Sequence, residues 1–278
     1  MAPRVTLDDI LRLDYGKIRE ALRGFLREVL EKSGANGYVI GLSGGVDSAT
    51  SFSLAVEAVG SERVFALLLP ESGVTSEADV DDAMELARSR GVRVHKVDIA
   101  PIVEVYRSAL PIYESPEADK LPMANLKARV RMSILYYYAN KFNLLVLGTT
   151  DRSEWLIGYF TKYGDGAVDV EPIIVLYKSQ VRRLAAELGV PERIAYKPSS
   201  PGLWPGHKAE EELGATYENV DLVLYSIFDL GLKPEEVPDA TGVPKPVVDR
   251  VLELYRASEH KRSPPHSPSL DIVRVAKA

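Results

Sequence analysis

Cysteine is absent from all 278 residues. That absence alone removes disulfides, thiolate metal sites, cysteine nucleophiles and persulfide sulfur carriers from consideration. Histidine is scarce as well: His95, His207, His260 and His266 are scattered without metal-ligand spacing, which argues against a structural zinc site. No apolar run approaches the ~20 residues that cross a bilayer. The opening "MAPRVTLDDI" lacks the apolar core of a signal peptide, so a cytoplasmic protein with no membrane partner is expected. An excess of positive charge is also missing. The net charge is −6, which disfavours a nucleic acid as partner. Basic residues are instead local, in "KARVRM" at 127–132 and "HKR" at 260–262, and such clusters suit an anionic small molecule.

The composition itself, 46% hydrophobic and 27% charged, is that of a globular protein with a substantial core. Thr6 and Asp9 form a capping-box pattern, and Ile18, Leu22, Phe25, Leu26, Val29 and Leu30 recur at helical spacing, so one N-terminal amphipathic helix is expected over about 6–32. Short apolar runs then alternate with helical patterns: "YVIGL", "RVFALLLP", "VRVHKVDI" and "LLVLGT" read as strands. Alternation of this kind predicts an α/β fold, a parallel sheet with helices on both faces. Helices are expected further on at 179–189, about 217–230 and 243–258, with loops rich in glycine and proline between them. There is no repeat and no clean linker, so residues 1–278 are read as one domain, ending in a basic, proline-rich tail from about 260. Ligands of such sheets bind beyond the carboxyl ends of the strands. Three unusually polar stretches, 43–48, 70–75 and 149–154, directly follow strands, which points to one site along that edge.

The most specific of them is "SGGVDS". A strand that ends in Ser-Gly-Gly and runs into a helix is an anion cradle: glycines let backbone N–H groups approach, and the helix start supplies unpaired donors. Ser43 and Ser48 add hydroxyls. It is neither a Walker A loop nor G-x-G-x-x-G. Asp47 would repel a phosphate, unless it holds a divalent cation, Mg²⁺, that bridges to phosphate oxygens. A helix terminus contributes only ~0.3–1 kcal/mol per charge, too little to hold a pyrophosphate alone. The plainer reading is a tight turn with Asp47 as an ordinary helix cap.

"SGGVDS" resembles the S-G-G-x-D-S loop of the ATP pyrophosphatases, enzymes that adenylylate a carboxylate or carbonyl and release pyrophosphate. The segments "NLKARVRM" (125–132), "GTTDRSE" (148–154), "GYFTKYGDG" (158–166), "LYKSQVRRLAAELGVPERI" (176–194), "KPSSPGLWPG" (197–206) and "EHKR" (259–262) then follow in order. Together they look like NAD synthetase over roughly residues 40 to 262. The resemblance implies a Rossmann-like, adenine nucleotide alpha hydrolase-like fold and a homodimer. It also implies a reaction in which deamido-NAD is adenylylated by ATP and amidated by ammonia, giving NAD, AMP and pyrophosphate. With no cysteine, no fused glutaminase of the usual kind is available, so free ammonia is the expected nitrogen source.

Site residues follow from the same resemblance. It implies ATP contacts at Gly41, Leu42, Ser43, Gly44, Gly45, Val46, Asp47, Ser48, Thr149, Lys178 and Ser200, and magnesium ligands at Asp47 and Glu154. Deamido-NAD would meet Arg129, Lys162, Asp165, Asp169, His260 and Lys261, and the catalytic set would be Asp47, Lys178 and Asp165. Tyr159, Phe160 and Tyr163 could offer a face to the nicotinate ring, but such spacing is more often packing and they are left out of the site; "HKAEEELG" (207–214) receives no role. Two competing readings remain: another adenylylating ligase, and a non-catalytic ATP-binding module.

Overall fold

Two strongly apolar segments, β1 (Gly37–Gly41) and β2 (Val64–Leu68), can be stable only with both faces covered, and they form the centre of a sheet. β3 (Arg93–Lys96), which carries charge, takes one edge and β4 (Leu144–Val146) the other, in the order β3-β2-β1-β4. All pairings are parallel, with Ile40 opposite Ala66 and Val39 opposite Val146. The computed structural model describes residues 4–204 and 206–275.

Side chains of a strand alternate between faces, and here they feed two cores. Tyr38 and Ile40 pack with Leu26, Phe52 and Leu184, while Val39 packs with Ile99, Met123 and Val130. The first core is closed by α2 (Tyr15–Ser33), α3 (Val46–Val59) and α4 (Glu77–Ser89). The second is closed by α5 (Ala100–Ala109) and α6 (Lys120–Phe142). The expected parallel sheet with helices on both faces is therefore observed.

The N-terminal helix expected over about 6–32 is two helices, α1 (Leu7–Leu11) and α2. The capping box is formed, with the Asp9 carboxylate accepting from the Thr6 N–H at 2.9 Å and the Thr6 hydroxyl at 2.7 Å. Asp14 then caps a second start by accepting the Lys17 N–H at 3.0 Å. The break sends Ile10 into one core and Leu26 and Leu30 into another, which a straight helix could not do.

Beyond β4 the chain is helical: α7 (Arg152–Ile157), α8 (Lys178–Glu187), α9 (Glu192–Ala195), α10 (Ala209–Leu213), α11 (Tyr217–Phe228), α12 (Val237–Thr241), α13 (Lys245–Ala257), α14 (Glu259–Arg262) and α15 (Asp271–Val275). A third core of Ile10, Ile157, Tyr217, Val220, Val223, Val248 and Val251 binds α1, α7, α11 and α13 together. α8 belongs to both regions, with Leu184 in the sheet core and its first residues beside α7 and α11. That shared helix carries Lys178 at its first position.

Candidate active site

The chain leaves β1 through Leu42-Ser43-Gly44-Gly45 and enters α3 at Val46. Gly44 has φ +82°, and a Cβ there would lie 2.3 Å from the Asp79 carbonyl oxygen, so glycine lets the loop lie against the start of α4. Ser43 and Ser48 Oγ atoms are 3.0 Å apart, and Ser48 Oγ also accepts the Ser43 N–H at 3.2 Å. This hydroxyl pair closes the loop into a fixed bowl. The bowl opens on a cavity of about 580 Å³ at the carboxyl end of the sheet. Gly41, Leu42, Ser43, Gly45, Val46, Asp47 and Ser48 line it, joined by Thr149, Glu154, Asp165, Ser200 and Lys261.

Lys178 sits beneath the bowl and is fully buried. Its Nζ lies 2.7 Å from Asp47 Oδ2, 2.9 Å from Asp151 Oδ2 and 2.8 Å from Glu154 Oε1, with the Tyr217 ring centred 4.9 Å away. Burial opposes the ammonium charge, but the three carboxylates outweigh it and hold the Lys178 pKa well above its ordinary value. Asp151 and Glu154 are pushed up by burial, and Lys178 only partly offsets this. One ammonium among three carboxylates leaves unbalanced negative charge. Oxygen atoms of Asp47, Asp151 and Glu154 all lie within 4.8 Å of one another, and Asp47 Oδ1 is buried without a partner among the described residues. A hard divalent cation with oxygen ligands fits that donor set.

Two carboxylates brace these elements from behind. Asp221 of α11 is fully buried; it accepts the Ser153 hydroxyl at 2.5 Å and both the N–H and hydroxyl of Ser179, at 2.8 and 2.5 Å. It thereby locks the start of α7, which carries Glu154, to the start of α8, which carries Lys178. Burial pushes its pKa up to about 7. Glu171 accepts the Thr150 N–H at 3.1 Å, and its carboxylate packs so tightly on Gly148 that a Cβ there would come within 2.3 Å. It pins the turn that presents Thr149.

Burial raises the Glu171 pKa to about 8, against the lowering effect of its bonds from Thr150. A raised folded-state pKa means stability that is complete below the unfolded value and lost as pH rises through about 8. Glu171→Gln is therefore expected to flatten the stability curve over that window. Relative to the parent it should gain on the order of 3 kcal/mol at its alkaline end. Thermal melts of both proteins from acid to alkaline pH test this; parallel curves would mean that Glu171 does not titrate there.

The remaining expected residues divide into two groups. Asp165 accepts the Thr161 N–H at 2.9 Å in the cavity wall. Lys261 donates to the carbonyls of Gly158 and Phe160, each at 2.7 Å. Outside the wall, Arg129 donates to the Lys162 carbonyl at 3.1 Å, and Lys162 donates to the His260 carbonyl at 2.5 Å. These three form a hydrogen-bonded chain. Asp169 accepts the Val146 N–H at 2.8 Å and the Tyr136 hydroxyl at 3.2 Å, an anchor for β4. The reading from sequence missed Asp151, Glu171, Tyr217 and Asp221. Of these only Asp151 had a local signal, the D-x-x-E capping pattern with Glu154, whose reciprocal bonds are present at 2.8 and 3.4 Å.

Residues 18–265 match the family model described as NAD synthase. A curated protein of Aeropyrum pernix, "NH(3)-dependent NAD(+) synthetase", is 60% identical over 271 residues, covering 98% of this chain and 95% of that one. An "NH3-dependent NAD synthetase" structure from Campylobacter jejuni superposes with TM-score 0.77 at 28% identity, covering 92% of this chain and all of that one. The structure of an "NMN synthetase" from Francisella tularensis superposes with TM-score 0.80 at 33% identity, covering 93% of this chain and all of that one.

Proposed function

We propose residue roles from one premise: the chain belongs to the NAD synthase family and is a carbon–nitrogen ligase that amidates deamido-NAD with ammonia, using ATP. The observation that carries the roles is the Lys178 node of three carboxylates beside the glycine bowl. The N–H groups at 43–48 and the start of α3 receive the ATP phosphates, with Thr149 and Ser200 at the cavity wall. Asp47 and Glu154 would hold Mg²⁺, with an Asp151 oxygen in the same cluster. An ion held there would supply positive charge against the phosphates and the leaving pyrophosphate.

Lys178 holds a positive charge at a fixed point, which stabilises charge as it develops rather than after reorganisation. Asp165 and Lys261 orient deamido-NAD in the cavity, and Arg129, Lys162, Asp169 and His260 serve its outer part. The nicotinate carboxylate then attacks the α-phosphorus, and the bond from that phosphorus to pyrophosphate breaks. Ammonia attacks the resulting acyl carbon and AMP leaves. Residues 1–278 act as one catalytic domain, in a cytoplasmic homodimer without a nucleic-acid or membrane partner.

The test incubates the protein with ATP, Mg²⁺ and deamido-NAD, adding ammonium or glutamine, and measures NAD, AMP and pyrophosphate. NAD and AMP in equal amounts with ammonium alone are expected. A parallel arm offers the mononucleotide acid, because the fold is shared with an NMN synthetase; preference for it would overturn the substrate assignment. Asp47→Asn should lower turnover at limiting Mg²⁺ about 10–100-fold, with the gap narrowing at saturation. An unchanged Mg²⁺ requirement would remove Asp47 from the metal site.

A further inference from the structure

The stretch after "GLWPG" folds into an arrangement that the roles above leave unused. His207 is 4% exposed, and its ring stacks on Trp204 with centroids 3.4 Å apart. Its Nε2 lies 2.8 Å from Glu212 Oε2, and the same oxygen accepts the Tyr159 hydroxyl at 2.7 Å. A carboxylate only accepts, so Nε2 carries the proton and Nδ1 is left with a lone pair. That Nδ1 is buried and has no hydrogen-bond partner among the described residues. A base oriented by a carboxylate, with its acceptor nitrogen free, follows the logic of a general-base dyad. His207, Glu212 and Tyr159 line the same cavity as Asp47, Glu154 and Asp165.

We propose that His207, oriented by Glu212, is the base that takes a proton from ammonium before it attacks the adenylate. The inference rests on the ligase reading above and adds a group to it. Ammonium has no lone pair and cannot be a nucleophile. An N–H bond of ammonium breaks, its electron pair stays on nitrogen, and the proton forms a bond to Nδ1. The freed lone pair forms the C–N bond to the acyl carbon. The C–O bond to AMP then breaks, its electrons leave on the AMP phosphate, and a second proton is released from nitrogen to solvent. The imidazolium faces the Glu212 carboxylate, whose side chain is 42% exposed and gives the first proton a path to water.

The surroundings suit a base. Burial lowers the His207 pKa below that of an ordinary imidazole, against the pull of Glu212, and Lys120 pushes it the same way as burial. Lys120 Nζ stands 4.1 Å from the centre of the Trp204 ring on which His207 stacks. Tyr159, the remaining titratable group on the dyad, has its pKa raised by burial and then by Glu212, and it is within electrostatic reach of Glu154 and Lys178. Glu212 likewise acts on Lys261 together with Asp165. The dyad thus shares one cavity with Glu154 of the acidic node and with Asp165 and Lys261.

The test compares the intact enzyme with His207→Gln in two reactions. Pyrophosphate–ATP exchange that depends on deamido-NAD reads adenylylation and folding. NAD formation reads the complete reaction, with ammonium and then with hydroxylamine, which is largely unprotonated at neutral pH and needs no base. Amidation by ammonium at neutral pH should fall roughly 10²-fold more than exchange does. The deficit should shrink as alkali converts ammonium to ammonia, and hydroxylamine should suffer far less. Equal losses with both nucleophiles, or a deficit independent of pH, would overturn the role of His207. Lack of exchange in the unsubstituted enzyme would instead overturn the ligase reading beneath it.

Discussion

Lys178→Met is expected to lower kcat by about 10²–10³-fold and to destabilise the fold by about 3–5 kcal/mol in the absence of divalent cation. Methionine keeps the length and the apolar stem but removes the one positive charge that Asp47, Asp151 and Glu154 share. Three carboxylates would then face one another within 4.8 Å, partly shielded from water. Added Mg²⁺ should restore much of the stability and little of the turnover, because it can replace the charge but not the fixed donor. Thermal melts across a Mg²⁺ titration, with steady-state kinetics beside them, separate the two effects. If the variant responded to Mg²⁺ as the parent does, the shared-charge account of the node would be wrong.

Gly44→Ala is the second large effect. Two penalties combine at this position: a left-handed backbone angle, and a Cβ placed 2.3 Å from the Asp79 carbonyl oxygen. The first alone costs ~1–2 kcal/mol. The second cannot be relieved by a side-chain rotation, since the obstacle is backbone, and the loop must lift off α4. An increase in the KM for ATP of about tenfold or more, with a total destabilisation of about 3 kcal/mol or more, is expected. Gly73→Ala is the matched comparison: its φ is +81°, but nothing lies within 4 Å of the added Cβ. Calorimetry and ATP saturation curves on the pair test the difference. Similar behaviour of the two variants would show that the contact with Asp79 is unimportant.

The glycine bowl was legible because its chemistry is contiguous: hydroxyl, glycines, carboxylate and hydroxyl occur within six residues, at the end of a run too apolar to be anything but a buried strand. The sheet was legible for a related reason, since short apolar runs separated by helical spacing leave parallel pairing as the economical solution. Lys178 is different. A lysine at a helix start is ordinarily solvated, and its burial arises only because segments 47, 151–154 and 178 converge from three parts of the chain. Asp221 was silent for the same reason: nothing near it in sequence marks it as the acceptor for Ser153 and Ser179. The break between α1 and α2 lies at Asp14, which caps the new start, but periodicity ran through it and hid it.

Lys261, in α14, grips the carbonyls of Gly158 and Phe160, far back along the chain. The consequence concerns birth rather than catalysis. A ribosome that has delivered the sheet, the bowl and the acidic node has still not delivered this fastening. Premature termination shortly before 259 would thus release a chain with a nearly complete nucleotide cradle whose far wall is unlatched. A chain stopped just after 262 would carry both Lys261 contacts of that latch.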